Sequence, residues 1–352
     1  MKFLIVAAKT GGHVFPASAI AKSLVKNNYK VVFIGTGTEI EKSAYEELDS
    51  KIYNLSIEGF RGSNLIIKFK VIYQIFVNIF KVIKIIKEDQ IDAMIGFGGF
   101  ITVPSGIACW LTRKPIFLHE QNAVLGSANK LLSKISKINF IGFPIKGLKR
   151  AVLSGNPIRD FFNDSQKNYI GKDNEEIKIY ITGGSQGAEY INQTVPLIFK
   201  NLPYELKIRH QCGKDKLEKV KDLYKSNEIN AEVNEFYKNP NEQIIWSDFV
   251  ISRAGAISLS EITSLKRGVV MIPLPTSIDN HQLWNAKSIE GISMGILHEQ
   301  KEHINHLQKK VDTLIKNKVF INWKNTENLD HINSAKIIIA NIEDFFENNE
   351  II

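Results

Sequence analysis

The sequence predicts an α/β protein that is built from two doubly wound parallel-sheet domains. Short continuous apolar runs alternate with amphipathic helical segments, as is typical of parallel strands that are buried on both faces. The pattern begins twice, since residues 3–8 and residues 177–181 each lead into a glycine-rich turn. The 352 residues suffice for two cores of roughly 150 residues each. We therefore expect two Rossmann-like domains whose glycine turns face a cleft, because such sheets bind ligands beyond the carboxyl ends of their strands.

The predicted domains are residues 1–160 and 161–334, with a polar linker at 163–176. A helix is expected from about Pro16 to residue 26, since proline is tolerated in the first helical turn. The segment 335–352 is predicted to be an amphipathic helix that either packs on the second domain or returns to the first. The predicted strands are residues 3–8, 31–34, 52–56, 92–97, 115–118, 138–141, 151–153, 177–181, 206–211, 232–236, 249–251 and 269–272.

The positive charge of the chain lies in its first half. The formal net charge is +8, and residues 1–150 hold 21 Lys and Arg against 10 Asp and Glu. This excess favours phosphorylated ligands or an anionic membrane surface as partners. Nucleic acid is disfavoured, because no basic stripe carries the interleaved aromatic residues of a known reader.

The cysteines and the N-terminus indicate the cellular compartment. Cys109 and Cys212 are far apart and lie outside any Cys-x-x-Cys, so neither a disulfide framework nor a zinc site is predicted. The apolar run after Met1 and Lys2 is too short for the core of a signal peptide. We therefore expect a cytoplasmic protein.

Residues 65–88 form the most unusual predicted helix. Its polar side chains follow helical spacing as one narrow stripe, which leaves more apolar surface than one core face needs. The longest uncharged run, 71–80, falls short of the ~20 residues that cross a bilayer. Two interpretations are open: a well-buried core helix, or a helix with one face in the core and a lysine-rimmed face on an anionic bilayer. The stripe consists of Lys70, Gln74, Asn78, Lys81, Lys84 and Glu88.

The segment 252–286 carries residues that suit a nucleotide sugar. A buried strand runs into a small-residue turn at Gly255 and then into a helix whose first turn is predicted to include Glu261. Such a turn leaves backbone N–H groups unpaired, so a diphosphate can sit on them while Glu261 accepts hydrogen bonds from ribose hydroxyls. Taken alone, the segment is more typical of an ordinary α/β crossover with an N-capped helix. The next strand ends in a polar loop with Asp279, His281 and Gln282.

The combination of glycine turns favours glycosyl transfer, with a diphosphate donor on one side of the cleft and an acceptor on the other. A dinucleotide oxidoreductase is less favoured, because no Gly-x-Gly-x-x-Gly follows a predicted strand. No Asp-x-Asp stands at a predicted strand end to hold a metal ion against the diphosphate. A helix dipole and backbone N–H groups would therefore stabilise the negative charge of the leaving diphosphate. His119 and Glu120, at another predicted strand end, fit a structural pair as well as a catalytic role.

Six motifs occur in an order that resembles one known family over nearly the whole chain. The motifs are Thr10-Gly11-Gly12-His13-Val14-Phe15-Pro16, Gly98-Gly99-Phe100, His119-Glu120-Gln121-Asn122, Gly155-Asn156-Pro157-Ile158-Arg159, Gly183-Gly184-Ser185-Gln186-Gly187-Ala188 and residues 253–286. They resemble the MurG family of peptidoglycan N-acetylglucosaminyltransferases. The resemblance implies an inverting, metal-independent glycosyltransferase of the GT-B type, without a cofactor. Its reaction would move N-acetylglucosamine from UDP-N-acetylglucosamine to the C4 hydroxyl of lipid I, which gives lipid II.

The resemblance also implies the roles of individual residues. His13 matches the candidate general base for the acceptor, with His119 and Glu120 as alternatives, and Glu261 matches the ribose reader. Lys70, Lys81 and Lys84 match a patch that associates with the cytoplasmic face of the inner membrane, where the enzyme would be peripheral. The implied donor contacts are Thr10, Gly11, Gly12, Asn122, Arg159, Ser185, the backbone at Tyr237, Ala256, Ile257, Ser258, Leu259, Ser260, Glu261 and Gln282.

The chain departs from the family in two places. The family usually has glycines where this chain has Ala8 and Lys9, and more often glutamine where it has His281. Lys9 would bring a cation close to a lipid diphosphate. One alternative is therefore a membrane-surface binding protein of the same fold that has lost turnover. A pure binding protein would not need every retained site residue, which favours the active transferase. These residues are His13, Asn122, Glu261 and Gln282.

Overall fold

The chain folds into two α/β units, each of which is built on one parallel sheet. The computed structural model describes residues 1–8, 10–57, 65–159, 176–184 and 186–348. The first unit is Met1–Arg159 with Asp330–Ile352, and the second is Asp160–Leu329; we call them the first and second domains. The described residues form a seven-stranded sheet in the first domain and a six-stranded sheet in the second. The predicted α/β class with two parallel sheets is confirmed.

The strands agree with the predicted apolar runs to within a few residues. They are β1 Lys2–Val6, β2 Lys30–Gly35, β3 Ile52–Asn54, β4 Ala93–Gly96, β5 Ile116–Glu120, β6 Ile138–Ile141, β7 Ala151–Leu153, β8 Ile177–Thr182, β9 Leu206–Gln211, β10 Ala231–Asn234, β11 Phe249–Ser252, β12 Gly268–Met271 and β13 Gly295–Leu297. The sequence analysis predicted no strand at β13.

The helices complete the alternating pattern. They are α1 Gly11–Lys26, α2 Glu39–Tyr45, α3 Leu65–Glu88, α4 Thr102–Leu111, α5 Ser127–Leu132, α6 Glu189–Ile198, α7 Leu217–Ser226, α8 Pro240–Trp246, α9 Ala256–Ser264, α10 His281–Gly291, α11 Ile304–Lys316, α12 Val319–Trp323 and α13 Ser334–Asn348. A short 3₁₀ turn, Ile278–Asn280, precedes α10.

Both sheets have the same strand order, which decides where ligands can bind. The first runs β3-β2-β1-β4-β5-β6-β7 and the second β10-β9-β8-β11-β12-β13. The order therefore reverses between β1 and β4 in one sheet and between β8 and β11 in the other. The loops at these reversal points diverge to opposite faces of the sheet, and the crevice that they leave at the carboxyl edge is the usual ligand site of such folds.

Two helical layers cover the first sheet. The helices α1, α2 and α13 bury one face, where Ile338, Ile342 and Phe346 of α13 pack into the core with Phe3 and Ile5 of β1. The helices α3, α4 and α5 bury the other face. The C-terminal helix thus packs on the first domain, and the second domain ends at Leu329, a few residues before the predicted boundary at 334.

Helix α1 begins at Gly11 rather than near Pro16. Glycine is a poor helix former, so the sequence pattern places the start at the proline. In the structure the carbonyl of Thr10 accepts hydrogen bonds from the N–H groups of His13 and Val14, both at 3.0 Å. The helix therefore starts directly after the glycine turn, and Pro16 lies in its second turn.

Candidate active site

An open cleft of about 520 Å³ lies at the carboxyl edge of the second sheet. Thr182 and Ser252 end the neighbouring strands β8 and β11 and are paired in register, so the cleft occupies the point where the strand order reverses. The lining residues are Thr182, Gly183, Gly184, Gln186, Gly187, Ala188, Glu189, Ser252, Arg253, Gly255, Ser258, Leu274 and Gln282.

The turn after β8 requires its glycines. Gly184 and Gly187 have positive φ angles of 84° and 68°, and a β-carbon at Gly187 would collide with the carbonyl of Cys212. The Gly184 N–H donates to Thr182 Oγ1 at 3.0 Å. The turn therefore presents bare backbone to the cleft. The predicted donor contact at Ser185 lies outside the described residues.

The N-terminus of α9 opens on the same cleft. Gly255 caps the helix in extended backbone and lines the cleft together with Ser258. The Ser260 Oγ donates to the Ala256 carbonyl at 2.9 Å, so this predicted contact is turned into the helix. An anion here would meet the first-turn N–H groups and Ser258 rather than the other predicted side chains. Those buried side chains are Ala256, Ile257, Leu259 and Ser260.

Glu261 lies in the second turn of α9 rather than in the first, because the helix begins at Ala256. Its side chain is 5% exposed. It follows the cleft-lining Ser258 by three residues, and residues three apart share a helix face. Glu261 therefore lies one turn deeper on that face, which suits a ribose rather than a diphosphate.

The loop before α10 brings Gln282 to the cleft. Its Oε1 accepts from the Leu274 N–H at 2.9 Å, which leaves the amide N–H groups to face a ligand. His281 Nδ1 donates to the Ile278 carbonyl at 2.8 Å, so its ring is oriented by the turn. Gln282 lines the described cleft, whereas His281 does not.

Gln211 connects the glycine turn to the predicted contact at Tyr237. Its Nε2 donates to the Gly184 carbonyl at 3.0 Å, and its Oε1 accepts from the Tyr237 N–H at 3.1 Å. The backbone group that Tyr237 can offer a ligand is thus its carbonyl. The neighbouring Phe236 side chain is 61% exposed. Sequence patterns missed both Gln211 and Phe236, because neither carries a signal without its tertiary partners.

Arg253 is a further cleft residue that was not among the predicted contacts. One guanidinium nitrogen donates to the carbonyls of Ile272 and Pro273 at 3.1 and 3.3 Å, so the charged group is held at the cleft. Its position directly after a strand was the one available signal. In the described part of the chain, no group of three or more His, Cys, Asp or Glu side chains is arranged to hold a metal ion.

The corresponding edge of the first domain carries His13 on the first turn of α1. Gly11 and Gly12 occupy the first two helical positions after Thr10. His13 Nδ1 lies 3.4 Å from both Thr10 Oγ1 and the Ala8 carbonyl oxygen. The imidazole is therefore placed at the reversal point of the first sheet, beside the backbone of a helix N-terminus.

The Gly98-Gly99 turn after β4 makes room for this imidazole. Both glycines have positive φ angles, 92° and 85°, and a β-carbon at Gly98 would lie 3.3 Å from His13 Nε2. Thr102 Oγ1 donates to the Gly98 carbonyl at 2.6 Å and so holds the turn. Two predicted motifs thus meet at His13. Lys9 lies outside the described residues.

His119 is a structural residue. It lies within β5, where its Nε2 donates to the Gly155 carbonyl and its Nδ1 accepts from Gln121 Nε2, both at 3.0 Å. The ring is fully buried, and burial lowers the pKa of His119 to about 4. Because both nitrogens are engaged, this histidine does not fit the alternative role of general base.

Glu120 orders the loop after β5. Its Oε1 accepts from the N–H and Nδ2 of Asn122, both at 3.1 Å, and its Oε2 accepts from the Gly126 N–H and from Asn129 Nδ2, both at 2.9 Å. The carboxylate is 4% exposed. Both carboxylate oxygens are thus engaged by donors of the same loop. This geometry argues against the predicted catalytic role and makes Glu120 the residue that orients Asn122.

Arg159 lies close to the same helix N-terminus. Its guanidinium carbon is 5.3 Å from the centroid of the Phe15 ring. The ring of Phe15 in turn covers Gly11, where a β-carbon would lie 2.7 Å from it. The structure therefore brings Arg159, Gly11 and Gly12 together in one domain, as donor contacts would require.

Helix α3 exposes an aromatic face in addition to most of the predicted polar stripe. Asn78 is buried and donates to the Ser56 carbonyl at 3.2 Å, whereas Lys70, Lys81 and Lys84 are exposed. The interpretation as a helix buried all round is therefore wrong. Among the described residues, no helix combines the length and apolarity that crossing a membrane requires. The exposed apolar residues are Phe69, Ile72, Tyr73, Phe76 and Phe80.

Comparison with known proteins identifies the class of enzyme to which this chain belongs. The N-terminal domain model of glycosyltransferase family 28 matches residues 3–153, and the C-terminal domain model matches residues 178–342. The crystal structure of MurG from Acinetobacter baumannii superposes with a TM-score of 0.82 at 27% identity, over 98% of this chain and all of that one. The protein is a glycosyltransferase of the GT-B type.

Two relatives narrow this to a family, and both carry the name UDP-N-acetylglucosamine–N-acetylmuramyl-(pentapeptide) pyrophosphoryl-undecaprenol N-acetylglucosamine transferase. The protein from Haemophilus influenzae strain PittEE is 36% identical over 303 residues, 86% of each chain. The protein from Buchnera aphidicola subsp. Baizongia pistaciae is 32% identical over 97% of this chain and 98% of its own. The chain belongs to this transferase family, the MurG family.

The position of Glu261 predicts its effect on donor binding. Glu261→Gln should raise the KM for UDP-N-acetylglucosamine about tenfold, because an amide accepts hydrogen bonds from ribose more weakly than a carboxylate. Initial rates against donor concentration measure this. Glu228→Gln, at an exposed carboxylate of the same domain, is the matched control. An unchanged KM in Glu261→Gln would refute the ribose assignment.

Proposed function

We propose that this chain transfers N-acetylglucosamine from UDP-N-acetylglucosamine to the C4 hydroxyl of the undecaprenyl-diphosphate-linked N-acetylmuramyl-pentapeptide, lipid I, with inversion, and so forms lipid II. The observation that carries the proposal is the pair of helix N-termini at the two reversal points, one beside His13 and one lining the 520 Å³ cleft. The names of the relatives support the choice of donor and acceptor.

The second domain would hold the UDP part of the donor. The diphosphate would lie on the N–H groups at the start of α9, beside the bare backbone of the turn at Gly183 and Gly184. Glu261 would accept from the ribose, and the exposed ring of Phe236 beside Tyr237 offers a face for the uracil. Gln282 would donate to hydroxyls of the sugar.

The first domain would activate the acceptor. The Nδ1–H of His13 faces the Ala8 carbonyl at 3.4 Å, so Nε2 is the basic nitrogen. The acceptor hydroxyl would pass its proton to Nε2 as its oxygen bonds to the anomeric carbon. The bond from that carbon to the β-phosphate oxygen breaks in the same step, and UDP leaves with the electron pair. One displacement of this kind inverts the anomeric centre.

The leaving charge would be stabilised without a metal. The backbone N–H groups of the α9 terminus and the guanidinium of Arg253 supply positive electrostatic potential at the cleft. Donors that are already in place need no reorganisation when the diphosphate gains charge. Catalysis in the presence of a chelator is therefore part of the proposal.

The enzyme would dock on the anionic inner leaflet through the layer formed by α3, α4 and α5. Trp110 and Leu111 of α4 are 57% and 54% exposed, and Leu131 of α5 is 50% exposed. These add apolar surface to the exposed aromatic residues of α3. Exposed lysines surround this apolar surface, and residues 121–159 contain no acidic residue. Lysines near an anionic surface contribute about 1 kcal/mol each, so a few suffice for reversible binding. The exposed lysines of the layer are Lys70, Lys81, Lys84, Lys87, Lys130 and Lys134.

One assay tests the reaction itself. The purified chain should transfer radiolabelled N-acetylglucosamine from UDP-N-acetylglucosamine to a lipid I analogue, and the rate should be the same with and without EDTA. Lipid II formed is measured by chromatography of the extracted product. If no N-acetylglucosamine is transferred to the analogue, the proposed reaction is refuted. A loss of rate in EDTA would refute only the proposal that the reaction needs no metal.

The placement of His13 predicts a loss of turnover. His13→Ala should lower kcat ~100-fold or more, because general-base removal costs about that much, while the Kd for UDP-N-acetylglucosamine stays within about twofold. Single-turnover rates and calorimetric titration measure the two quantities. His306→Ala, at an exposed histidine of the second domain, is the control. A near-normal rate in His13→Ala would place the base elsewhere and reopen the case for Glu120.

The exposed face of α3 predicts salt-dependent membrane binding. The double variant Lys81→Glu and Lys84→Glu should release the protein from vesicles with anionic lipid, with the larger effect at low salt, where charges are least screened. Transfer to a short-chain soluble acceptor should persist. A flotation assay compares it with a control that reverses Lys225 and Lys316, two exposed lysines of the second domain. Equal flotation of both variants would contradict docking through this face.

A further inference from the structure

One peptide group in the first domain is held by side chains at both of its ends. The carbonyl of Gly155 accepts from His119 Nε2 at 3.0 Å, from Ser334 Oγ at 2.9 Å and from Ser154 Oγ at 3.0 Å. The N–H of the same peptide group, which belongs to Asn156, donates to His331 Nδ1 at 2.8 Å. We call this arrangement the Gly155 clamp. All of its side chains are buried, so its hydrogen bonds do not compete with solvent.

The clamp joins the segment that leaves the first domain to the segment that returns to it. Gly155 has a φ of +72°, and a β-carbon there would lie 2.6 Å from the carbonyl oxygen of Asp330. His331 and Ser334 follow directly, at the start of α13. The returning backbone therefore packs against Gly155 so closely that glycine is required both for the φ angle and for the contact.

The clamp also lies close in sequence or through one hydrogen bond to two residues that are implied donor contacts. The Nδ2 of Asn156 donates to the carbonyl of Gln121 at 3.0 Å, and Gln121 directly precedes Asn122. Three residues beyond Asn156, the guanidinium of Arg159 lies over Phe15. A shift of the Asn156 backbone would thus move two of the implied donor contacts of this domain, Asn122 and Arg159.

We propose that His331 is a positioning residue, which through the Asn156 N–H holds Asn122 and Arg159 in place for the nucleotide sugar. The inference rests on the proposed function, because it takes these two residues to be donor contacts. His331 itself touches no substrate in this account. Ser334 supports the same peptide group from its carbonyl end.

The protonation of the two histidines fits these roles. An imidazole nitrogen that accepts a backbone N–H must carry no proton, and Nδ1 of His331 is such an acceptor. Burial lowers the pKa of His331 to about 3 and that of His119 to about 4. Both rings are therefore neutral at the pH at which cells work.

Two substitutions at position 331 separate positioning from packing. His331→Asn places an amide oxygen where Nδ1 stands and so keeps an acceptor for the Asn156 N–H. His331→Leu fills a similar volume but leaves that N–H buried without a partner, which is costly. We expect His331→Leu to raise the Kd for UDP-N-acetylglucosamine about tenfold, and His331→Asn to stay within about threefold of the wild type. Calorimetric titration measures Kd without requiring turnover.

A triple variant tests whether the effect passes through Asn122 and Arg159. In an Asn122→Ala and Arg159→Ala background, His331→Leu should weaken donor binding by less than twofold further, because both contacts that it positions are already gone. Full additivity of the two losses would overturn the proposal. So would an unchanged Kd in His331→Leu. The control is His306→Leu, at an exposed histidine outside the clamp.

Amide hydrogen exchange at Asn156 gives a readout that is independent of the reaction. Protection should fall at least tenfold in His331→Leu and persist in His331→Asn, and unchanged protection in the leucine variant would overturn the proposal.

If His331→Leu does not fold, Ser334→Ala replaces it, since two donors then still hold the Gly155 carbonyl. The Kd of Ser334→Ala for UDP-N-acetylglucosamine should rise two- to threefold, and no rise would count against the clamp. A wild type that binds the donor but transfers nothing would refute the proposed function and leave these tests intact.

Discussion

The backbone N–H groups at the first turns of α1 and α9 are the constraint on which both domains depend. A helix leaves its first N–H groups without intrahelical partners, and in each domain one such helix starts beside the point where the strand order reverses. Side chains there must stay small, or they would block access to these donors. This explains why Gly11, Gly12 and Gly255 stand at the two helix starts, and why chemistry-bearing side chains such as His13 and Ser258 follow within a turn.

Buried polar residues at strand ends hold the loops of these sites through hydrogen bonds. Glu120 and Gln211 each satisfy two backbone groups and His119 satisfies one, and all three lie near the end of a strand that feeds a site loop. A buried polar group costs free energy unless it is hydrogen-bonded, so such residues tolerate few alternative loop geometries. The loops that carry Asn122 and Tyr237 are therefore ordered before a ligand arrives. Glu120 holds its loop and His119 holds the Gly155 carbonyl through these hydrogen bonds.

The two faces of α3 illustrate how packing and function divide one helix. Val82 and Ile86 are buried against the sheet, as any core helix requires, whereas Phe76 and Phe80 remain more than half exposed. The unusual apolar content of this helix is thus divided between a buried face and an exposed aromatic face.

The sequence by itself determined the α/β class, nearly every strand, the two glycine turns and the family, because buried strands and motif spacing are local features that a linear chain displays. Only the tertiary structure decided which residues of those motifs face a ligand. The partners of Ser260 and Glu120, which are the Ala256 carbonyl and the loop at 122–129, became visible only there. Gln211, Arg253 and His331 showed no comparable signal, because each acts through groups that are distant in sequence. A pattern records residue types and their spacing, whereas burial, hydrogen-bond partners and orientation arise only when remote segments pack together.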